Sequence, residues 1–595
     1  MKLALALASI LLVTVATGPA GAQVDIAGEW ASEFSEDQPE RIPGPDVGDY
    51  FGLPLNDAGR LKADTWQASI QTLPERQCIP HPSPYSLRGP TNLRISADVD
   101  PVTQETVRYT IYGTFGRATR LVWMDGRPHP SPLAPHSWAG FSTGTWEGHR
   151  LRIVTTHIKL GYLRRNGVPY SDLATMTEYL WRHGDRLVIV TIVEDPVYLT
   201  EPFVRTTDFV RNPTQHGVAT PCEPTDEVFG RPRGEVPHYL PGTNPYLTEF
   251  SDRLGIPAAA ARGGAHTALP EYEHALDTPA TLVRREPEVF AAEPANRAPV
   301  TDSTEVLHAQ GAVHVIAVDG ENVAVSTGPD GLLLIDTGGT PGAGRLVDAL
   351  RRIATDPVRA IVNTSGSPGR AGGNAVLARQ GRRLGGAAAG AFGFADIARN
   401  QPTAEIYAHE QVLVRLSSAD AVPTEAWPTT TFTGDAKDLF FNGEAQRVLH
   451  VPHAHSDGDV VVFFRRSDVV VTGELFDATA YPRIDRARGG TLQGVIDGLN
   501  LVLDLAVPAS WQEGGTLIVP ARGRLGDEAD VVEYRDMLTI VRDRITALVA
   551  EGRSLAEVQA ARPTREYDAR YGSTTGPWTT AMFVEAAYRS LSPAR

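Results

Sequence analysis

The sequence predicts an α/β protein with an all-β N-terminal domain: an antiparallel β barrel or sandwich, followed by a four-layer αββα sandwich. Three observations carry that prediction. Short alternating strands separated by tight-turn signals fill residues 24–212. The composition then shifts to Pro, Gly and Ala over 213–303, which reads as a connector with short helices. From 304 to 595 strands alternate with helices, the order expected of a layered α/β fold.

The 595 residues can bury more than one core without staples. The chain opens with Met1-Lys2, an apolar run over 3–16, and the small residues Gly18-Pro19-Ala20-Gly21-Ala22. That pattern predicts a cleaved signal peptide over 1–22 and a periplasmic or secreted mature chain. The run is shorter than the ~20 apolar residues a bilayer span needs, and no later stretch is longer, so no stable membrane insertion is expected. In an oxidising compartment Cys78 and Cys222 either form a disulfide or stay as two buried thiols, and spacing does not decide between them.

With 55 Lys+Arg against 71 Asp+Glu the chain carries a net charge of −16 and no basic stripe, which excludes a nucleic-acid partner. The lysines are Lys2, Lys62, Lys159 and Lys437, so nearly all positive charge is guanidinium. Guanidinium is the better group for a buried ion pair.

Within 24–212 the alternation predicts a helix over 56–66 and strands over 107–112, 120–124, 151–154 and 186–190. Turns are expected at Asp125-Gly126, Glu147-Gly148, Asn166-Gly167 and Gly184-Asp185. His129, Trp138, Trp146 and His157 either line a pocket or are core and turn residues. The stretches Trp123-Met124-Asp125-Gly126-Arg127-Pro128-His129-Pro130 and Gly144-Thr145-Trp146-Glu147-Gly148 resemble an uncharacterised exported bacterial β-domain. That resemblance implies no activity. In the connector, Tyr239, Tyr246 and Phe250 are expected to rest against one or both domains.

Beyond 304, strands are predicted over 313–318, 323–326 and 332–335, a helix over 343–353, and a strand over 360–363. A strand over 448–451, a hairpin over 460–471, a helix over 492–505, a strand over 516–519 and a helix from Glu528 follow. Five segments then occur in a telling order. They are Leu334-Ile335-Asp336-Thr337-Gly338; Asn363-Thr364 with Gly372-Gly373-Asn374; Ala454-His455-Ser456-Asp457-Gly458-Asp459; Gly473-Glu474-Leu475-Phe476; and Ile518-Val519-Pro520-Ala521-Arg522-Gly523. In these, the half over 304–590 resembles the metallo-β-lactamase fold superfamily. Tyr481-Pro482, Ile484-Asp485 and 527–530 resemble its exported members of undefined substrate.

The resemblance implies a zinc site in relatives, built from His-x-His-x-Asp-His after Asn-Thr, a later His, a bridging Asp and a last His. Here the matching positions read Ser365, Ser367, Gly369 and Arg370, then His455, Glu474 and Arg522. One imidazole and one carboxylate fall short of the three protein ligands of a catalytic zinc. The zinc of relatives is therefore expected to be lost and no cofactor is expected. A lone buried carboxylate is costly, so Arg522 or Arg370 should pair with Glu474.

The leading expectation is a degenerate, metal-free site that binds a small molecule, an anion where the cleft is open, or a partner. Ser365, Ser367, Arg370, His455, Glu474 and Arg522 would line it, with Gly372-Gly373-Asn374 opening a helix towards it. Two alternatives stay open. One is a hydrolase using residual metal at His453, His455 and Glu474, or using Ser365 or Ser367 with His455 as base and Asp457 or Asp459 orienting it. The other is a structural or interaction protein whose cleft is closed by the salt bridge. His409 is read as structural.

Overall fold

The computed structural model of the chain describes residues 25–33, 44–87, 92–113, 118–214, 222–269, 272, 304–382, 403–419, 421–509 and 514–592. The expected signal peptide over 1–22 lies outside the described residues.

Nine N-terminal strands close into a barrel. In chain order the strands are β1 (Gly28–Ser32), β2 (Leu93–Val99), β3 (Thr106–Gly113), β4 (Arg120–Trp123), β5 (Phe141–Glu147), β6 (Arg150–Thr156), β7 (Gly161–Arg164), β8 (Val168–Tyr170), β9 (Thr175–His183), β10 (Arg186–Glu194) and β11 (Phe203–Arg211). Around the barrel they run β1-β11-β10-β9-β6-β5-β4-β3-β2, with β7 and β8 a separate two-stranded ribbon. Closure resolves the barrel-or-sandwich alternative and leaves no open edge. Trp30, Ile95, Ile111, Ile153, Leu180, Ile189 and Phe209 fill the interior from alternate positions of their strands. Arg120 and Glu178 also pair inside, Arg120 donating to Ser142 Oγ at 2.9 Å and Thr155 Oγ1 at 2.6 Å.

One expectation fails in this half. β4 and β5 pair in parallel, with Val122 opposite Ser142, so the barrel is not wholly antiparallel. Asp125-Gly126 is a bend rather than a hairpin: Arg127 folds back over Trp123, 3.6 Å from the ring centroid, and the chain over 124–140 travels back before β5 begins. Parallel neighbours need such a long connection. The predicted early helix forms over Asp57–Asp64, capped by the Asn56 side chain.

The second half is the αββα sandwich. β12 (Glu305–Gln310), β13 (Val313–Val318), β14 (Glu321–Ser326), β15 (Leu332–Ile335), β16 (Val358–Val362), β17 (Glu405–His409) and β18 (Thr430–Phe432) form one sheet in sequence order. It is antiparallel as far as β15 and parallel from there. β19 (Ala436–Phe441), β20 (Glu444–Val451), β21 (Asp459–Phe464), β22 (Val469–Val471) and β23 (Leu517–Val519) form the other. Val315, Leu333, Val362, Val448, Val462 and Val519 meet between the two sheets. Leu346 and Leu350 of the Ala343–Ile353 helix cover the outer face of the first sheet. Helices Leu492–Leu505, Glu528–Ala550 and Thr580–Leu591 cover the second through Leu499, Leu538 and Phe583. These strands are near-continuous runs of Val, Ile and Leu because both faces are buried.

The barrel docks on the first half of the Glu528–Ala550 helix through charge. Lys159 donates to Asp527 (2.7 Å) and Asp530 (2.8 Å), and Arg524 and Arg570 hold Asp172. Arg76 takes Glu533 and Asp536, and Arg535 reaches Glu75 at 2.5 Å. The described part of the connector touches both halves: Tyr239 N donates to Thr65 O, and Arg233 donates to Asn500 O. Tyr246 nevertheless stays 46 % exposed. Cys78 and Cys222 form a disulfide, tying the connector to the barrel across 144 residues of sequence.

Candidate functional site

The strand ends at one edge of the sandwich converge. β15 ends at Asp336, which turns with φ 68, and β16 ends in Asn363-Thr364. β22 leads into Gly473-Glu474, where Gly473 is needed: a Cβ on it would lie 2.5 Å from Thr364 Oγ1. β23 delivers Arg522, and β14 begins with Glu321. The following loop is locked by amides. Asn374 Nδ2 donates to Asn363 Oδ1 (2.8 Å) and Ala426 O (2.9 Å), and its Oδ1 accepts from Thr337 Oγ1 (2.9 Å).

Both arginines point into this edge. Arg522 forks onto Glu474, Nη1 to Oε2 at 3.0 Å and Nη2 to Oε1 at 3.2 Å. Arg522 Nη1 also meets Asp477 Oδ2 at 3.0 Å, and Nε meets Glu321 Oε1 at 3.0 Å. Arg370, 1 % exposed, pairs with Glu321, lies 3.4 Å from both Asp336 and Glu474, and donates to the carbonyls of Asn322 and Ala521 at 3.1 Å. Ser367 Oγ donates to Glu474 Oε1 at 2.9 Å. Glu474 thus has both oxygens engaged.

The electrostatics follow from that packing. Burial works against ionising Glu474, but Arg522, Arg370 and His455 overcompensate and hold its carboxyl well below the usual range. Burial, opposed in part by Glu474, brings the Arg370 guanidinium down to about 10, so it stays charged at neutral pH. Asp336 is pushed well above the carboxylate range by burial, against the hydrogen bonds from Thr364 N and Oγ1. Glu321, Asp336, Glu474 and Asp477 face Arg370, Arg522 and the nearby Arg483.

The other expected site residues fall out as follows. Ser365 is fully buried and its Oγ accepts from Ser367 N at 3.2 Å. His455, 8 % exposed, bonds Arg483 O through Nδ1 at 2.9 Å. No hydrogen bond joins either serine to His455. Asp457 pairs with Arg415, and Asp459 accepts from Ser456 N and Oγ, so neither carboxylate orients His455. His453 bonds Gly489 O from an exposed turn. His409 caps the Glu410–Ser417 helix and stacks on His450 at 3.8 Å. Glu321, Asp336 and Asp477 were not among the expected site residues. Asp477 lies beyond the Gly473–Leu475 turn, after an extended Phe476, and no sequence signal pointed to it.

The zinc that the fold implies does not fit these residues. Among the described residues, no group of three or more His, Cys, Asp or Glu side chains is arranged to hold a metal ion. At the ligand position taken by Gly369, a Cβ would sit 2.8 Å from Glu321 Oε1 and 3.2 Å from Arg522 Nη2. The arginine pairs occupy the space that a side chain there would enter.

Open space lies elsewhere, where the barrel and connector meet the Glu528–Ala550 helix. A cavity of about 430 Å³ is lined by Lys62, Trp66, Tyr162 and Tyr567, with Lys62 Nζ 5.1 Å from the Tyr567 ring centroid. A second, of about 780 Å³, is lined by Glu75, Ile79, Lys159, Leu503 and Glu528. Trp138 lines both, whereas His129 and His157 are tied to Thr156, and Trp146 packs on the barrel core.

Residues 316–507 match the family model of the metallo-beta-lactamase superfamily. No curated protein matches the chain significantly. Among solved structures, a metallo-beta-lactamase from Pontibacter korlensis is similar, at 17% identity over 40% of this chain and 99% of its own, with a TM-score of 0.30. The stereoselective inverting sec-alkylsulfatase Pisa1 from Pseudomonas sp. is 13% identical over 49% of this chain and 51% of its own, with a TM-score of 0.34. Neither structural likeness bears on function. The family match and the layered sheets agree, and the sandwich half of this chain is a metallo-beta-lactamase superfamily domain.

Proposed function

We propose that the chain is an exported binding protein whose metallo-β-lactamase-like half serves as a metal-free scaffold, not a metal-dependent hydrolase. One observation carries this reading: Glu474, the carboxylate at a ligand position, has both oxygens taken by Arg522 and Ser367. A zinc ion would have to displace a forked guanidinium, and like-charge repulsion from Arg370 and Arg522 opposes it. Export is supported by the expected signal peptide together with the Cys78–Cys222 bond, since disulfides persist in oxidising compartments.

The burial of Arg370 and Ser365 favours the closed form of the old cleft, because an anion could reach Arg522 only by breaking its pair with Glu474. The cavities beside Trp138 support binding at the junction instead, since their volumes suit a small molecule. Zinc content after purification in zinc and dialysis tests the reading. Well under one equivalent per chain is expected, and a full equivalent that survives dialysis returns the protein to the hydrolases. Sulfate or a dicarboxylate should leave the melting temperature unchanged. A shift that Arg522→Ala abolishes would reopen the anion site.

A further inference from the structure

We infer that the 780 Å³ cavity binds an organic cation, whose ammonium or guanidinium group pairs with Glu528 while its apolar body rests on Trp138. The inference rests on the binding reading above and gives it a place and a ligand class.

The Glu528–Ala550 helix opens with three carboxylates, and their fates differ. Asp527 and Asp530 form the capping box and share Lys159, and Asp530 also takes Arg524 at 2.7 Å. Glu75, on the same cavity wall, is held by Arg535. The remaining cations of the wall are also engaged: Arg231 donates to Thr72 Oγ1, and Arg233 pairs with Asp504. Glu528 is left over. It is 8 % exposed and lines the cavity, yet among the described residues its carboxyl makes no hydrogen bond and no ion pair. Burial, then the negative charges of Asp527 and Glu75, push its pKa up to about 7, against the opposing pull of Arg76 and Lys159.

A buried carboxylate without a partner gains most from an entering cation. A bare metal ion lacks a third donor group there. An anion would meet Glu528, Asp527 and Glu75, while Lys159, Arg233 and Arg535 of the same wall are already paired with carboxylates. The indole of Trp138 and the apolar Leu73, Ile79 and Leu503 favour a cation with a hydrocarbon or ring body, which an aromatic face attracts as well.

Calorimetry with 2-phenylethylammonium as the probe, and 3-phenylpropionate as its anionic counterpart, tests the assignment on the full-length, disulfide-intact protein. The ammonium should bind, and binding near pH 7 should release protons, seen as heats that differ between buffers, because pairing strips Glu528 of its proton. The groups facing that carboxyl are Asp527, Glu75, Arg76 and Lys159. At pH 9 the release should vanish. Glu528→Gln should weaken binding at least tenfold and abolish the proton release, and Trp138→Ala should weaken binding while leaving the release intact. Equal binding of the propionate, or of the ammonium by Glu528→Gln, overturns the assignment, as does no binding of the ammonium at all. Zinc content of the same preparation reports separately on the metal-free reading, so the two can fail independently.

Discussion

Two buried glutamates in this protein meet opposite fates. Glu474, at the edge of the sandwich, is surrounded by Arg522, Arg370 and Ser367 and is held ionised. Glu528, at the junction with the barrel, is also enclosed, at 8 % exposed against 4 %, and has no partner among the described residues, so burial favours its protonated form. Both lie where a strand or loop enters a helical turn, and both are surrounded by arginine-rich sequence. What differs is whether the nearby guanidinium groups have other carboxylates to satisfy. At the sandwich edge each carboxylate has a guanidinium partner. At the junction Lys159, Arg76 and Arg535 are each already taken, and one acid is left over. Enclosure alone therefore does not mark a binding residue. Enclosure without compensation does.

The contrast breaks most readily at Glu474. Glu474→Gln leaves two buried guanidinium groups short of a counter-charge and should lower unfolding free energy by about 3–5 kcal/mol in urea titrations at pH 7. A loss below about 1 kcal/mol would mean the pairs are solvated and the contrast is false. Because the native carboxyl titrates below its ordinary 4.5, this stabilisation is present above pH 4.5 and disappears as the pH falls further.

Glu528→Gln should do the reverse. Its native pKa lies above 4.5, so the wild type loses stability as the pH rises from about 4.5 to about 7. The glutamine variant should be more stable by about 3 kcal/mol at pH 8 and equal to wild type below pH 4. Parallel pH profiles for the two proteins would show that Glu528 has a partner after all. Ser367→Ala, which removes the hydroxyl from Glu474, should cost about 1.5–3 kcal/mol at pH 7 and less in acid, where the carboxyl it serves is protonated. Were Ser367 instead a nucleophile, its loss would abolish ester turnover that a chelator leaves untouched. The smallest effect is expected from chelator itself: EDTA should not move the melting temperature, and a fall would reveal a metal that contributes to folding.

Much of the architecture was legible because both halves repeat simple periods. Alternation over 151–154 and 186–190 marked barrel strands, and continuous Val/Ile/Leu runs marked the doubly covered strands of the sandwich. The parallel β4–β5 pair was not legible, because Asp125-Gly126 has hairpin chemistry and only the path over 124–140 overrides it. In the site, Arg370, Arg522 and Glu474 could be found by their spacing relative to a known ligand pattern, and both arginines do meet the glutamate. Glu321 and Asp477 could not, since neither stands at a ligand position and each joins only through the folded edge. Glu528 was hidden for a further reason. Its distinction is the lack of a neighbour, and that depends on how several separated arginines are shared out in space.

Gly369 sets a direction on change. An aspartate returned there alone would press its Cβ on Glu321 Oε1 and Arg522 Nη2, which would have to shift, and removing either arginine first would strand a carboxylate in the interior. Replacing any one of Gly369, Arg370 and Arg522 thus disturbs the buried ion pairs. A designer seeking to build a zinc site here must therefore exchange Ser365, Ser367, Gly369, Arg370 and Arg522 together.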